Sequence, residues 1–373
     1  MESDELKYWV AFSRIPGIGR VRFKLLESFF GSLREAWEAH AGPLKAAGLD
    51  SRTIGSITSR RPKVDPDEEL SRIVESDIQA LTWHDDAFPS RLKEIYDVPP
   101  VLYVKGSLLS EDERSVAVVG TRRPTAYGRQ VAHRLTYDIA NAGVTIVSGL
   151  ARGIDAIAHK AALDAGHRTI AVMGSGIDVI YPREHDLLAE QIVEKGALVS
   201  EHPMGTRPDS KNFPRRNRIL SGMTLGTVVI EAGETSGALI TARHSNDENR
   251  EVFAVPGNIF SPGSSGTNRL IKDGSAKLVS NFTDVLEELN LTSVGSQIEM
   301  VALFPEDETE SEVLRCVSYD PIHIDEVIRE SELGISTVSS ALAMMELKGI
   351  VKQVGGMNYI RIREAPAEYQ TVV

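Results

Sequence analysis

The sequence of 373 residues holds one cysteine, Cys316, so neither an internal disulfide nor a thiolate zinc cage is available to it. No apolar run approaches the roughly 20 residues of a membrane span, and the opening Met1–Trp9 is too acidic for a signal peptide. The expected compartment is therefore cytoplasmic. The pattern G-x-x-x-x-G-K-[ST] is missing, which excludes a P-loop ATPase. His167, His185 and His202 lack both HExxH spacing and cysteine partners, so no metal is expected. Nor does any Ser/His/Asp or Cys/His constellation suggest a nucleophile. Positive charge is also short overall: the net charge of −12 argues against a non-specific nucleic-acid coat.

What is present is a repeated grammar of short apolar runs that stop at glycine. Val116–Val119 ends at Gly120, Val144–Val147 at Gly149, Thr169–Val172 at Gly174, Thr227–Ile230 at Gly233 and Val252–Val255 at Gly257. Each run is β-branched and small enough to be buried on both faces, and helical spacing separates one from the next. The pattern predicts an α/β fold with a doubly wound, mostly parallel sheet, which binds ligands outside the carboxyl ends of its strands. The five glycines thus mark one functional edge.

Around that core the chain reads as further pieces. Residues 1–62 are helical, and Pro16-Gly17-Ile18-Gly19 resembles a helix-hairpin-helix turn. Such a turn either holds a phosphate on backbone N–H groups or simply joins two packed helices. Arg60–Asp67 reads as a linker. Ile78–Trp83 and Val101–Val104 are short strands expected to extend the sheet of a 70–290 domain, and 291–310 reads as a second linker. Three helical segments and a hairpin within 311–364 follow the order of a winged helix. Its third helix, Ser336–Leu347, has no Lys or Arg, so groove reading is poorly supported and a protein-contact or packing role is at least as plausible.

Charge is concentrated locally. Arg207–Arg218 carries five basic residues against one acid, and Arg122–Arg134 carries four arginines and no acid. Arg122 and Arg123 follow the first strand, where guanidiniums suit phosphate. In Lys211-Asn-Phe-Pro-Arg-Arg-Asn-Arg218 a proline, an aromatic and four cations crowd a helix entrance. Phe213 offers a stacking face, and Lys211, Arg215, Arg216 and Arg218 surround Asn217, as in a single-strand groove. Backbone anion seats are expected at Gly120, Thr121, Gly149, Gly153, Gly174, Ser175, Gly176, Ser236 and Gly237. Val179 stands where a dinucleotide fingerprint needs its third glycine, so no NAD or other cofactor is expected. Asp155 and His159 lie four apart at a helix start and are read as an N-terminal acid and a packed histidine rather than an acid/base pair. Glu231 and Glu234 are the only carboxylates placed for hydrolysis, and capping or pairing with arginine is the expected use.

Gly120-Thr-Arg122, Gly149-Leu-Ala-Arg-Gly-Ile-Asp155, Gly174-Ser-Gly176, Tyr181-Pro182, Phe213-Pro-Arg-Arg-Asn-Arg-Ile219, Ser236-Gly-Ala-Leu-Ile-Thr-Ala242 and Gly266-Thr-Asn-Arg-Leu-Ile271 together resemble the DNA processing protein A (DprA/Smf) family. The resemblance is dense over residues 70–290. It implies an extended Rossmann core between a sterile-alpha-motif-like domain and a winged helix. It also implies a non-enzymatic, single-stranded DNA-binding protein that protects incoming strands in natural transformation, loads the RecA recombinase and forms a homodimer through its Rossmann domain. By motif, strand binding falls on Arg122, Arg183, Phe213, Arg215, Asn217 and Arg218. The alternative is a more distant resemblance to the lysine-decarboxylase-like nucleotide phosphoribohydrolases, around Glu231-Ala-Gly-Glu-Thr-Ser-Gly237.

Overall fold

The computed structural model describes residues 3–291, 308–318, 321–347 and 351–361. The chain divides into two compact units, with the division between residues 291 and 308. Most of the expected 291–310 linker lies outside the described residues, as does the end of the expected 311–364 domain.

The first unit begins with six helices: α1 (Ser3–Ser13), α2 (Arg20–Phe30), α3 (Leu33–Glu38), α4 (Ala41–Ala46), α5 (Ser51–Arg60) and α6 (Pro66–Glu75). The sheet follows with β1 (Gln79–Thr82), helix α7 (Ser90–Glu94), β2 (Val101–Gly106) and β3 (Ser115–Val119). Alternating units then supply α8 (Ala126–Asn141), β4 (Thr145–Ser148), α9 (Ile154–Asp164), β5 (Thr169–Val172), α10 (Asp186–Lys195) and β6 (Ala197–Ser200). The unit is completed by α11 (Asn212–Gly222), β7 (Gly226–Val229), α12 (Ala238–Asp247), β8 (Glu251–Ala254), α13 (Ser265–Lys272), β9 (Lys277–Leu278) and α14 (Phe282–Glu288).

The nine strands are ordered β1-β2-β6-β5-β4-β3-β7-β8-β9. All pairings from β6 to β9 are parallel, and β1 and β2 add an antiparallel margin. Alternation along the strands sorts the core into layers. Val116, Val118, Ile146 and Val228 face α8 and α9, whereas Ala117, Val119, Val147 and Val229 face α11 and α12. After β3 the chain winds towards β6, and after β7 it winds the other way. The topological switch therefore lies between β3 and β7, which pair with Val119 opposite Val229.

Three expectations change here. Ala197–Ser200 is a fully buried strand inside the sheet that the glycine-stop pattern passes over, because it runs into Glu201 rather than a glycine. The helical start is also no separate domain. Trp9, Phe12 and Phe23 share one apolar cluster with Tyr103, Ala171, Met173 and Leu198. The Ser13 and Tyr103 hydroxyls hydrogen-bond at 2.8 Å, and Arg14 Nη1 donates to the Met204 carbonyl at 3.0 Å. Arg60–Asp67 turns directly into α6 instead of forming a linker. So short a segment cannot bury that many aromatics by itself, and the sheet supplies the missing face.

The second unit contains α15 (Glu308–Cys316), β10 (Ile322–His323), α16 (Ile324–Ser331), α17 (Ile335–Leu347), β11 (Val351–Gly355) and β12 (Asn358–Arg361). The strands form a small sheet in the order β10-β12-β11. Val313, Val327, Val338, Leu342 and Met345 fill its core, which makes it a winged helix.

Candidate nucleic-acid interface

At the switch point the loops after β3 and β7 are tied together. Gly120 turns against Ile154, so closely that a Cβ would sit 2.5 Å from its Cγ1. The Thr121 N–H donates to the Glu231 carbonyl at 2.7 Å. The Glu231 carboxylate is buried and accepts from both the N–H (3.1 Å) and the hydroxyl (3.0 Å) of Thr125, the residue that caps α8. That carboxylate is spent on structure, as expected from sequence.

Helix α11 lies across the opening, and 100° of rotation per residue sends its basic side chains in different directions. Phe213, in its first turn, is half-buried. Tyr181 packs against it with ring centroids 5.7 Å apart, and the exposed Arg122 guanidinium stands 5.7 Å from the Phe213 centroid. Gly174 makes room for this aromatic, since a Cβ there would come within 2.9 Å of the ring. Arg216 points down into the protein. Its Nη1 donates to the Val172 carbonyl, and a side chain on Gly149 would collide with its guanidinium. Its Nε has no hydrogen-bond partner among the described residues.

Burial pushes the Arg216 guanidinium down to about 10, which leaves it a cation at neutral pH. Asp155, in the first turn of α9, is raised by burial, against the pull of Arg216. His159 is wholly buried, with Nδ1 2.7 Å from the Thr169 hydroxyl, and burial lowers it to about 3. It is a neutral core group, so Asp155 and His159 form no acid/base pair. Arg122, Asp155, Phe213, Arg216, Asn217 and Ser236 all line one cleft of about 690 Å³.

Several expected contacts lie elsewhere. Arg218 is buried and ion-paired, its Nε donating to Asp97 at 2.9 Å and its Nη2 to Glu201 at 2.6 Å. It is a structural cation joining α11 to the segments beside β2 and β6. Arg215 is exposed but lines two grooves on the opposite flank of α11 instead of the cleft. Lys211 is exposed where α11 begins. Arg123 and Arg183 are exposed in the loops after β3 and β5, at the same sheet margin, and neither pairs with a carboxylate among the described residues.

Most of the expected backbone anion seats are used internally. Besides Thr121, Gly176 donates its N–H to the Thr206 carbonyl at 2.8 Å. Ser175 is buried, with its hydroxyl on the Val179 carbonyl at 2.7 Å. Gly153 has φ +79° and is pressed against the Thr121 carbonyl. Gly149 and Gly174 accommodate Arg216 and Phe213. Gly120, Thr121, Ser236 and Gly237 all line the cleft, where the Ser236 N–H donates to the Gly233 carbonyl at 3.1 Å and Gly237 caps α12. Tyr181 is the cleft aromatic left out of the sequence-based site; its signal was the Tyr-Pro step beside Arg183.

Residues 79–290 match the family described as DNA recombination-mediator protein A, and residues 300–357 match the DprA winged helix domain. The chain is 34% identical to Protein Smf of Synechocystis, over 97% of this chain and 100% of that protein. It is similar to the crystal structure of DNA processing protein A from Streptococcus pneumoniae, with TM-score 0.66 and 35% identity over 75% of this chain and 96% of that one. A structure of DNA processing protein A from Helicobacter pylori, which addresses that protein's single-stranded DNA binding mode, aligns with TM-score 0.52 and 29% identity over 57% of this chain and 95% of that one.

Proposed function

The chain belongs to the DNA recombination-mediator protein A family, and on that footing we propose that it grips single-stranded DNA in the switch-point cleft and breaks no bond there. The observation that carries this reading is the exposed Arg122 guanidinium over Phe213, with the buried Arg216 beneath the cleft. An aromatic face takes any base, at about 1–3 kcal/mol per stacked base. A fixed guanidinium takes the adjoining phosphate, and an N-terminal helix end at Gly237 favours negative charge. The single-strand binding described for the Helicobacter pylori relative supports the same reading.

The finer proposal is that the protein protects incoming strands and loads RecA recombinase onto them during natural transformation, as a cytoplasmic homodimer joined through its Rossmann domain. Family membership supports it. Arg123 and Arg183, exposed at the same margin, serve as outer phosphate contacts. The winged helix is assigned to protein contact, because α17 has no basic residue. Of the two carboxylates of the phosphoribohydrolase alternative, Glu231 is held by Thr125 at the α8 cap and Glu234 is exposed; nucleoside monophosphates are expected to release no free base.

The test is fluorescence polarisation with labelled oligo-dT. Arg122→Glu is expected to weaken binding at least about tenfold with a nearly unchanged melting temperature, because Arg122 is exposed and, among the described residues, has no ion-pair partner that it would leave stranded. Unchanged affinity at low salt would refute the cleft.

A further inference from the structure

We propose that the strand held in the cleft continues over Pro214 into a second groove on the opposite flank of α11, where Arg215, Arg20 and Lys93 meet phosphates and Tyr96 carries a base. This rests on the cleft reading and extends it.

The groove has a volume of about 1040 Å³, larger than the cleft, and Pro214 forms part of the wall of both. Pro214, in the first turn of α11, is exposed where the two meet. Inside it, the carboxylates near the basic residues are largely neutralised in place. Glu94 accepts from Arg250 and Asp97 from Arg218, each at 2.9 Å. Arg20, Lys93 and Arg215 have no carboxylate partner among the described residues; Lys93 donates only to the Asp85 carbonyl, at 2.9 Å. The remaining acids, Asp247 and Glu248, sit at the C-terminal end of α12.

Tyr96 is the second observation. It is 82% exposed, an unusual position for an aromatic of this size in the absence of a partner. The Arg20 guanidinium stands 5.0 Å from its ring centroid, which leaves the other face open. The pairing of a guanidinium with an aromatic ring repeats that of Arg122 with Phe213 on the other side of the helix. An aromatic platform flanked by unpaired cations fits an unpaired polynucleotide, because each base has a π face and each nucleotide a phosphate. A folded protein partner would instead need a broad patch of apolar residues, and Ile95, Tyr96 and Pro214 are the apolar residues of this lining.

Two labelled oligo-dT probes separate the parts, one of about 6 nucleotides and one of about 20. Tyr96→Ala and Arg215→Glu are each expected to weaken the long probe roughly tenfold and to leave the short probe unchanged, while Tyr96→Phe binds like the parent. Equal affinity of parent, Tyr96→Ala and Arg215→Glu for the long probe would overturn the groove. Loss on the short probe as well would also overturn it, since the groove would then not be an extension. In either case the cleft stands as long as Arg122→Glu weakens the short probe; if Arg122→Glu spares both probes, the cleft reading itself fails.

Discussion

The buried and the exposed sides of α11 use the same residue type to opposite ends. Arg216 and Arg218 are buried and serve the fold, one against Val172 and Gly149, the other against Asp97 and Glu201. Arg215, immediately before Arg216 in sequence, is exposed and has no carboxylate partner among the described residues. Arg122, which belongs to a different loop, completes the cleft that Phe213 opens. The difference shows that a density of guanidiniums in sequence is not a patch in space. Burial decides which cations are available to a ligand, and helix rotation decides burial. An Arg facing the sheet must be paid for with carbonyls and carboxylates; one facing solvent keeps its donors for a phosphate.

The sharpest way to break this comparison is Arg218→Ala. The Glu201 side chain, 9% exposed, would lose its buried partner, and removing one half of such a pair costs about 3 kcal/mol or more. A urea titration should show that loss, while affinity of the folded protein for the short oligo-dT probe, which occupies only the cleft, stays close to the parent value. Loss of affinity without loss of stability would make Arg218 a ligand contact and erase the distinction between buried and exposed arginines. Arg122→Glu is the mirror case, with affinity lost and stability kept.

A smaller effect concerns the groove flank and pH. Burial raises the Glu248 carboxyl to about 7, while the Ser221 hydroxyl, Arg250 and Arg218 pull it down and Asp247 pushes it up. Its folded pKa lies above the unfolded one, so between roughly pH 4.5 and 7 the folded state binds more protons, and stability falls as pH rises. Glu248→Gln should flatten that decline in melts taken across the window, with its largest gain at the alkaline end. A steeper decline would place Glu248 in a stabilising ion pair instead.

Much of the fold was legible because buried parallel strands are written as apolar runs with glycine at their carboxyl ends. That rule found β3, β4, β5, β7 and β8, and so the sheet margin that carries the cleft. It missed β6, whose margin needs no glycine. The shared core of α1–α6 with the sheet was not legible either, since an amphipathic helix states that it has an apolar face without naming what covers it. Phe213, Arg122, Asn217 and the Ser236-Gly237 helix start, all singled out from sequence, line one cleft. The glycines were misread in a systematic way. A glycine signals that something approaches the backbone closely, and sequence does not say whether that is a phosphate or, as at Gly149 and Gly174, the protein's own arginine and phenylalanine. Arg218 was misassigned because its partners, Asp97 and Glu201, are distant in the chain.

The most direct measurement is photocrosslinking of the full chain to a single-stranded oligonucleotide carrying 5-iododeoxyuridine, with the attached residue located by mass spectrometry. The expected result is attachment at Phe213 or Tyr181, lost when unlabelled oligo-dT competes. Attachment confined to residues 308–361, with none in the cleft, would contradict the account.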